Sequence, residues 1–335
     1  MPEEGNPHKR TWMAYGATTR TWGTSGSFGA NRLIARKDLM RIAANIARFE
    51  PVFMIVDNED DEDEARDFLD EFLIHPVDDL WIRDTGAVFV TDERKSLYGI
   101  DFNFNGWGQE NTVVSNDRRI AGFTIAQANA TKISTWLVLE GGGIEVDGKG
   151  TAVCTESCIL NANRNPGKTK TDVEAELHRT LGVKKVVWLP GAKAKDITDG
   201  HVDFYARFSK NGHIIYTLDN DKNSPDYETT AINKNILQNV TDVLGNKLTP
   251  VALKTPDSSV VRAAFDDDTF AASYIGYYVS DKFLLMAQYG DPAADLAAFN
   301  ILKNIFPEKT IMQISTDGIS SGGGTIHCST QQQII

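Results

Sequence analysis

No apolar run in this 335-residue chain approaches the roughly 20 residues that a helix needs to cross a bilayer, so a membrane-spanning helix is not expected. Cysteine is scarce. The three residues Cys154, Cys158 and Cys328 are too few for a disulfide framework, and the Cys154–Cys158 spacing lacks the second half of a zinc site. We read Cys154 and Cys158 as small buried residues of a strand and the turn after it, with pairing as the alternative. The six histidines, His8, His75, His178, His201, His213 and His327, form no His-Glu-x-x-His pattern, so neither a catalytic metal nor a cofactor is expected. Basic residues are outnumbered, 34 against 46 acidic, for a net charge of −12. That excess disfavours nucleic acid as a partner and suits a cationic ligand.

What is present is a regular alternation of helical and extended signals with 41% apolar content, enough for a large core and read as one domain over residues 1–335. Leu39, Ile42, Ala43, Ile46 and Phe49 recur at helical spacing, and Pro51–Val56 follows as a buried strand. Thr171 with Glu174 forms a capping-box pattern, Gly182 stops that helix, and Lys185–Leu189 reads as a strand. A helix near Ile232–Leu244 precedes Val251–Leu253, and one near Ala293–Ile305 precedes Thr310–Ile314. The acidic run Asp57–Glu64 reads as the solvated first turn of a helix reaching about Leu73, where the dipole favours negative charge. Taken alone, this pattern supports a mixed α/β fold, with a doubly wound sheet as the default.

Chemistry concentrates in four polar clusters embedded in apolar or glycine-rich sequence. Ser321–Gln332 places Cys328 just after three glycines, which allow positive φ and close approach to a ligand. Asp84 follows Trp81-Ile82-Arg83, Glu140 precedes Gly141-Gly142-Gly143, and His201 and Asp203 stand at i and i+2, on one face of an extended strand. Each alone admits a structural reading: Asp84 paired with Arg83, Glu140 capping a turn, His201 satisfied in a core. Together they suit attack by sulfur on a cationic trigonal carbon.

These segments resemble the agmatine deiminase and Porphyromonas-type peptidyl-arginine deiminase family of guanidino-group-modifying enzymes. The likeness runs from Pro7–Ala14 through Asp101–Gly108 and Asn161–Pro166 to the Gly-Gly-Gly-Thr-Ile-His-Cys segment. It implies a five-fold pseudo-symmetric α/β propeller of ββαβ units (the pentein type), with Asp84, Glu140, His201, Asp203 and Cys328 in the catalytic positions. Gly141–Ile144 echoes Gly322–Ile326, which hints at internal repetition.

A guanidinium is planar and stays protonated near neutral pH, so its carbon is a poor electrophile until gripped edge-on by carboxylates. We assign that grip to Asp84 and Asp203, attack to Cys328, proton transfer to His201 and orientation to Glu140. Trp81 and Trp107 are candidates to line the substrate tunnel. Arg20 is a candidate partner for a substrate carboxylate, because Trp12-Met13-Ala14-Tyr15-Gly16 departs from the Trp-Met-Ala-Trp-Pro usual in agmatine deiminases. On that ground the first expectation is calcium-independent conversion of peptidyl arginine to peptidyl citrulline, with agmatine to N-carbamoylputrescine as the alternative. A cysteine peptidase or a non-catalytic guanidinium-binding protein are the readings from other classes. The sequence leaves a homo-oligomer open, and leaves open both a secreted protein shorn of its leader and a cytoplasmic one.

Overall fold

The computed structural model describes residues 1–224, 226–261 and 270–335. Its strands, in chain order, are β1 (His8–Tyr15), β2 (Val52–Val56), β3 (Phe72–Ile74), β4 (Val88–Thr91), β5 (Leu97–Ile100), β6 (Thr131–Ile133), β7 (Ile144–Val146), β8 (Thr151–Thr155), β9 (Lys185–Leu189), β10 (Ala206–Phe208), β11 (His213–Leu218), β12 (Thr249–Lys254), β13 (Tyr278–Val279), β14 (Phe283–Gln288), β15 (Thr310–Ser315) and β16 (Gln331–Ile334). They form five sheets, β16-β1-β2-β3, β4-β5-β6, β7-β8-β9, β10-β11-β12 and β13-β14-β15. The doubly wound sheet is therefore replaced by small sheets of three or four strands.

Each sheet repeats one connection. Its first two strands pair antiparallel, as β10 does with β11, and the second then pairs parallel with a third, as β11 does with β12. The parallel step needs a crossover, and helices supply it: Gly26–Ala47 between β1 and β2, Ile120–Gln127 between β5 and β6, Lys170–Leu181 between β8 and β9, Tyr227–Leu237 between β11 and β12, and Pro292–Ile305 between β14 and β15. In the first sheet the antiparallel partner of β1 is β16, so the two ends of the chain meet there with Trp12 opposite Gln331. Continuously apolar strands such as β14, in which Phe283, Leu284, Leu285, Met286 and Ala287 are all buried, follow from coverage on both faces.

Local chemistry sets the helix limits. The helix Lys170–Leu181 carries its capping box at Thr169 and Asp172, two residues earlier than the Thr171–Glu174 pair predicted, and Gly182 closes it at φ 73°. Asn58 caps the acidic helix, whose first turn holds Glu59, Asp60, Asp61 and Glu62. That helix ends at Ala65, not near Leu73, because Phe72–Ile74 are drawn into parallel pairing with Met54–Val56. The helix expected at Ile232–Leu244 instead spans Tyr227–Leu237, since Asp242 folds the following chain by accepting from the N–H groups of Leu244 and Asn246.

Four of the five sheets are entered through a tight turn that carries a predicted site residue. The one-turn helix Ile82–Thr85 leads to β4, the 3-10 turn Gly141–Gly143 to β7, the 3-10 turn Val202–Phe204 to β10, and the Cys328 turn to β16. Thr169→Ala removes an N-cap and is expected to lower stability by about 1 kcal/mol in urea unfolding, whereas Thr171→Ala leaves the midpoint nearly unchanged.

Candidate active site

Asp84 is buried in the turn before β4. Its Oδ2 accepts from the Trp107 indole at 2.9 Å and its Oδ1 from the Gly142 N–H at 3.1 Å. Burial raises its pKa above the usual carboxylate range; the positive charge of His201 opposes this, and nearby Asp203 and Glu140 add to it. Arg83, the partner considered for it, turns away to Glu4 at 2.7 Å.

Glu140 is sealed from solvent beside the Gly141–Gly143 turn. Both its oxygens accept from Arg164 Nε, at 2.9 and 3.1 Å, and its Oε2 faces His201 Nε2 at 3.1 Å. Burial pushes this carboxyl up, yet the His201 hydrogen bond and the Arg164 guanidinium hold it below its ordinary value. His201 is the converse: burial works against its charge, but Asp84, Cys158 and Glu140 keep it protonated well above the usual histidine range.

His201 and Asp203 are not on a strand. Positive φ at Asp199 (61°) and Gly200 (86°) turns the chain sharply, and the two residues flank the start of the 3-10 turn Val202–Phe204. The two side chains therefore do not share a strand face, and they converge at Gly142 instead. A Cβ placed on Gly142 would lie 2.6 Å from His201 Nδ1 and 3.0 Å from both Asp203 Oδ2 and Asp84 Oδ1. Three charged groups thus close around one backbone that can carry no side chain.

The Cys328 Sγ lies 3.8 Å from Asp203 Oδ2 and 3.4 Å from Thr325 Oγ1, and the residue is 6% exposed. Burial, then the Asp203 and Asp84 carboxylates, push its thiol far above the ordinary range. The preceding glycines serve mainly to admit indoles. Of Gly322, Gly323 and Gly324, Gly323 has positive φ (87°), while a Cβ on Gly324 would sit 2.2 Å from Trp81 Cζ3 and one on Gly322 2.5 Å from Trp22 Cη2.

The structure therefore brings Asp84, Glu140, His201, Asp203 and Cys328 into one buried cluster with Trp81 and Trp107 against it. Trp107 spends its indole N–H on Asp84 and packs edge-on to Phe104 at 5.0 Å. Arg20 departs from expectation: its guanidinium is committed to Asp78 (3.2 Å), Asp57 (3.1 Å) and the Val77 carbonyl (2.7 Å), so it is a structural clamp instead of a free anion receptor.

Four residues escaped the sequence reading. Arg164 braces Glu140, and its signal lay in the Asn161–Pro166 segment. Cys158 stands 3.7 Å from Glu140 Oε2, and His327 bridges Asp203 Oδ2 (2.7 Å) to Glu4 (3.0 and 3.2 Å). Glu4 itself gave no signal. Glu140, Cys158 and His201 present donor atoms within 4.8 Å of one another, but the Arg164 charge on Glu140 opposes a cation there. A separate cavity of about 500 Å³, lined by Met1, Tyr98, His178 and Lys184 among others, includes none of the five.

A buried thiol, an imidazole and paired carboxylates in this arrangement belong to the class of hydrolases that act on guanidino carbon–nitrogen bonds. The chain matches the Porphyromonas-type peptidyl-arginine deiminase family over residues 1–333 and belongs to it. The agmatine deiminase of Stutzerimonas stutzeri is 34% identical over 359 residues, covering 99% of this chain and 95% of that one. That of Pseudomonas aeruginosa is 32% identical over 356 residues, with the same coverage. The solved agmatine deiminase of Enterococcus faecalis superposes with a TM-score of 0.88 at 29% identity, covering 99% of this chain and 95% of that one. Gly142→Ala is expected to leave the protein folded by circular dichroism yet cut deimination by at least ~10²-fold, because the new methyl displaces His201.

Proposed function

We propose that this protein is an agmatine deiminase, converting the guanidinium of agmatine and water to N-carbamoylputrescine and ammonia. One observation carries the reading. Asp84, Asp203 and His201 converge on Gly142 beside the Cys328 sulfur, and Asp203 Oδ1 is buried with no hydrogen-bond partner among the described residues. A buried carboxylate oxygen left unpaired is costly, and a guanidinium N–H satisfies it. Asp203 and Asp84 grip the planar cation, and Trp107 and Gly142 fix Asp84 for that task.

The bound cation favours ionisation of Cys328, whose proton passes to solvent, and the thiolate adds to the guanidinium carbon to give a tetrahedral adduct. His201 donates a proton to one nitrogen, which leaves as ammonia, and an amidino-thioether remains. Water, deprotonated by the same imidazole, attacks that carbon, and collapse expels the thiolate with the ureido product. Glu140, locked by Arg164, orients His201.

The choice of agmatine over peptidyl arginine rests on three supports. The curated relatives described above bear that activity in their names, and Arg20, on which the peptidyl preference leaned, is already neutralised by Asp57 and Asp78. The centre's near-complete burial also suits a slender substrate. We further read the chain as one catalytic domain in which the five sheets of shared connectivity surround one axis as a propeller, because turns from separate sheets must meet at its middle.

A colorimetric ureido assay on agmatine, free arginine, and internal and C-terminal peptidyl arginines tests this. Product is expected chiefly from agmatine and none from Cys328→Ala; turnover by the alanine variant overturns the mechanism, and a peptide preference overturns the substrate. A second check follows from charge. Burial and two carboxylates disfavour the thiolate, and a bound cation reverses the local field. Thiolate ultraviolet absorbance is thus expected to appear only at strongly alkaline pH in the free protein and at lower pH with guanidinium ion; identical titrations contradict the coupling.

A further inference from the structure

Beneath the reacting groups lies a second layer of charge that the reaction scheme leaves unused. Glu4 is buried there, four residues from the start of the chain. Its Oε1 accepts from Arg83 Nη1 at 2.7 Å and faces His327 Nε2 at 3.0 Å, and its Oε2 accepts from Arg207 Nη2 at 2.6 Å. Each of these partners belongs to an arm of the site. Arg83 precedes Asp84, His327 precedes Cys328, and Arg207 stands on β10 just past the turn that carries Asp203.

The three arms are tied to one another as well. The Arg83 N–H donates to the Cys328 carbonyl at 3.1 Å and its Nε to the His327 carbonyl at 3.3 Å. Arg207 also reaches Glu145 Oε2 at 3.0 Å and the Tyr277 carbonyl at 3.1 Å. His327 holds Asp203 Oδ2 at 2.7 Å through its other nitrogen. A carboxylate oxygen thus faces each ring nitrogen of His327. This leaves Asp203 Oδ1 as the free oxygen.

We propose that Glu4 is a positioning residue for deimination: one carboxylate that gathers Arg83, His327 and Arg207 and so sets the relative placement of Asp84, Asp203 and Cys328. The inference rests on the function proposed above. A carboxylate is the group for this place because its two oxygens offer about four acceptor directions and one negative charge to two guanidinium groups and an imidazole. Burial pushes its carboxyl up, but Arg83, His327 and Arg207 together hold it well below the usual range, so it stays ionised. The segment reaches this depth because Gly148, at φ 71°, leaves room for it: a Cβ there would lie 2.7 Å from the Glu3 nitrogen.

The test compares Glu4→Gln, which keeps shape but loses charge, with Glu4→Asp, which keeps charge but shortens reach. Kinetics on agmatine, the rate of Cys328 alkylation by iodoacetamide and thermal unfolding are measured for each. Glu4→Gln is expected to lower kcat by ~10²-fold with KM changed less, since Asp84 still grips the substrate, and to alter the alkylation rate. Glu4→Asp is expected to recover part of kcat. A folded Glu4→Gln protein with kcat and alkylation within about threefold of wild type overturns the proposal. So does a loss equal in both variants that merely follows the fraction unfolded. If Glu4→Gln does not fold, Glu4→Asp decides: normal kcat rejects the role, and a reduced kcat in a folded protein supports it. Should the wild type yield no ureido product from any guanidinium, the function itself falls; the alkylation arm still reports whether Glu4 acts on Cys328.

Discussion

Like-charge repulsion among Asp84, Glu140 and Asp203 is the constraint around which this centre is built. Three carboxylates buried in a shared space would normally be neutralised by protonation. Here a different donor is assigned to each. Arg164 and His201 hold Glu140, His327 holds Asp203, and the Trp107 indole with the Gly142 amide holds Asp84. Asp84, whose direct hydrogen bonds come from dipoles while the His201 ring stands farther off at 3.8 Å, is the one whose pKa rises. A carboxylate so placed gains most from a cationic ligand, which links the electrostatics of the site to its preference for a guanidinium.

The fold makes that arrangement affordable in conformational terms. Strand and crossover helix fix the body of each sheet, so the short turn ahead of its first strand is held at both ends and its side chain is aimed with little residual freedom. Gly142 then sets how closely the turns approach. The exclusion is severe, since the nearest atom to a hypothetical side chain there belongs to the histidine.

Much of this was legible in the sequence, and what was not has physical reasons. The helix Pro292–Ile305 and strand β9 follow from periodicity, capping and glycine stops, which are local properties. The helix Lys170–Leu181 was found with its cap misplaced by two residues, because Thr169-x-x-Asp172 and Thr171-x-x-Glu174 both satisfy the same local pattern. The limit of the acidic helix and the turn at His201 depend on pairing with distant strands and on left-handed backbone at Asp199, neither of which leaves a periodic trace. The five polar site residues stood out because glycines flank chemically improbable core residues. Glu4 carried no such mark: its meaning lies wholly in partners 79, 203 and 323 positions away.

The raised thiol pKa of Cys328 looks at first like a defect in a nucleophile. It follows from burial and from the same acids to which the proposed mechanism gives the substrate grip, since a field that favours a cation disfavours a second anion. Thiolate is the form attacked by oxidants and alkylating agents, so in the proposed mechanism, where the sulfur ionises mainly when a guanidinium arrives, the thiol is protected in the free protein. In the proposed mechanism the bound cation supplies the charge that stabilises the thiolate poised to attack it, which makes activation conditional on the correct ligand. In this reading the depth of the site, the excess of carboxylates and the reluctance of the thiol are one design: the substrate's own charge completes the electrostatics that the empty protein leaves unbalanced.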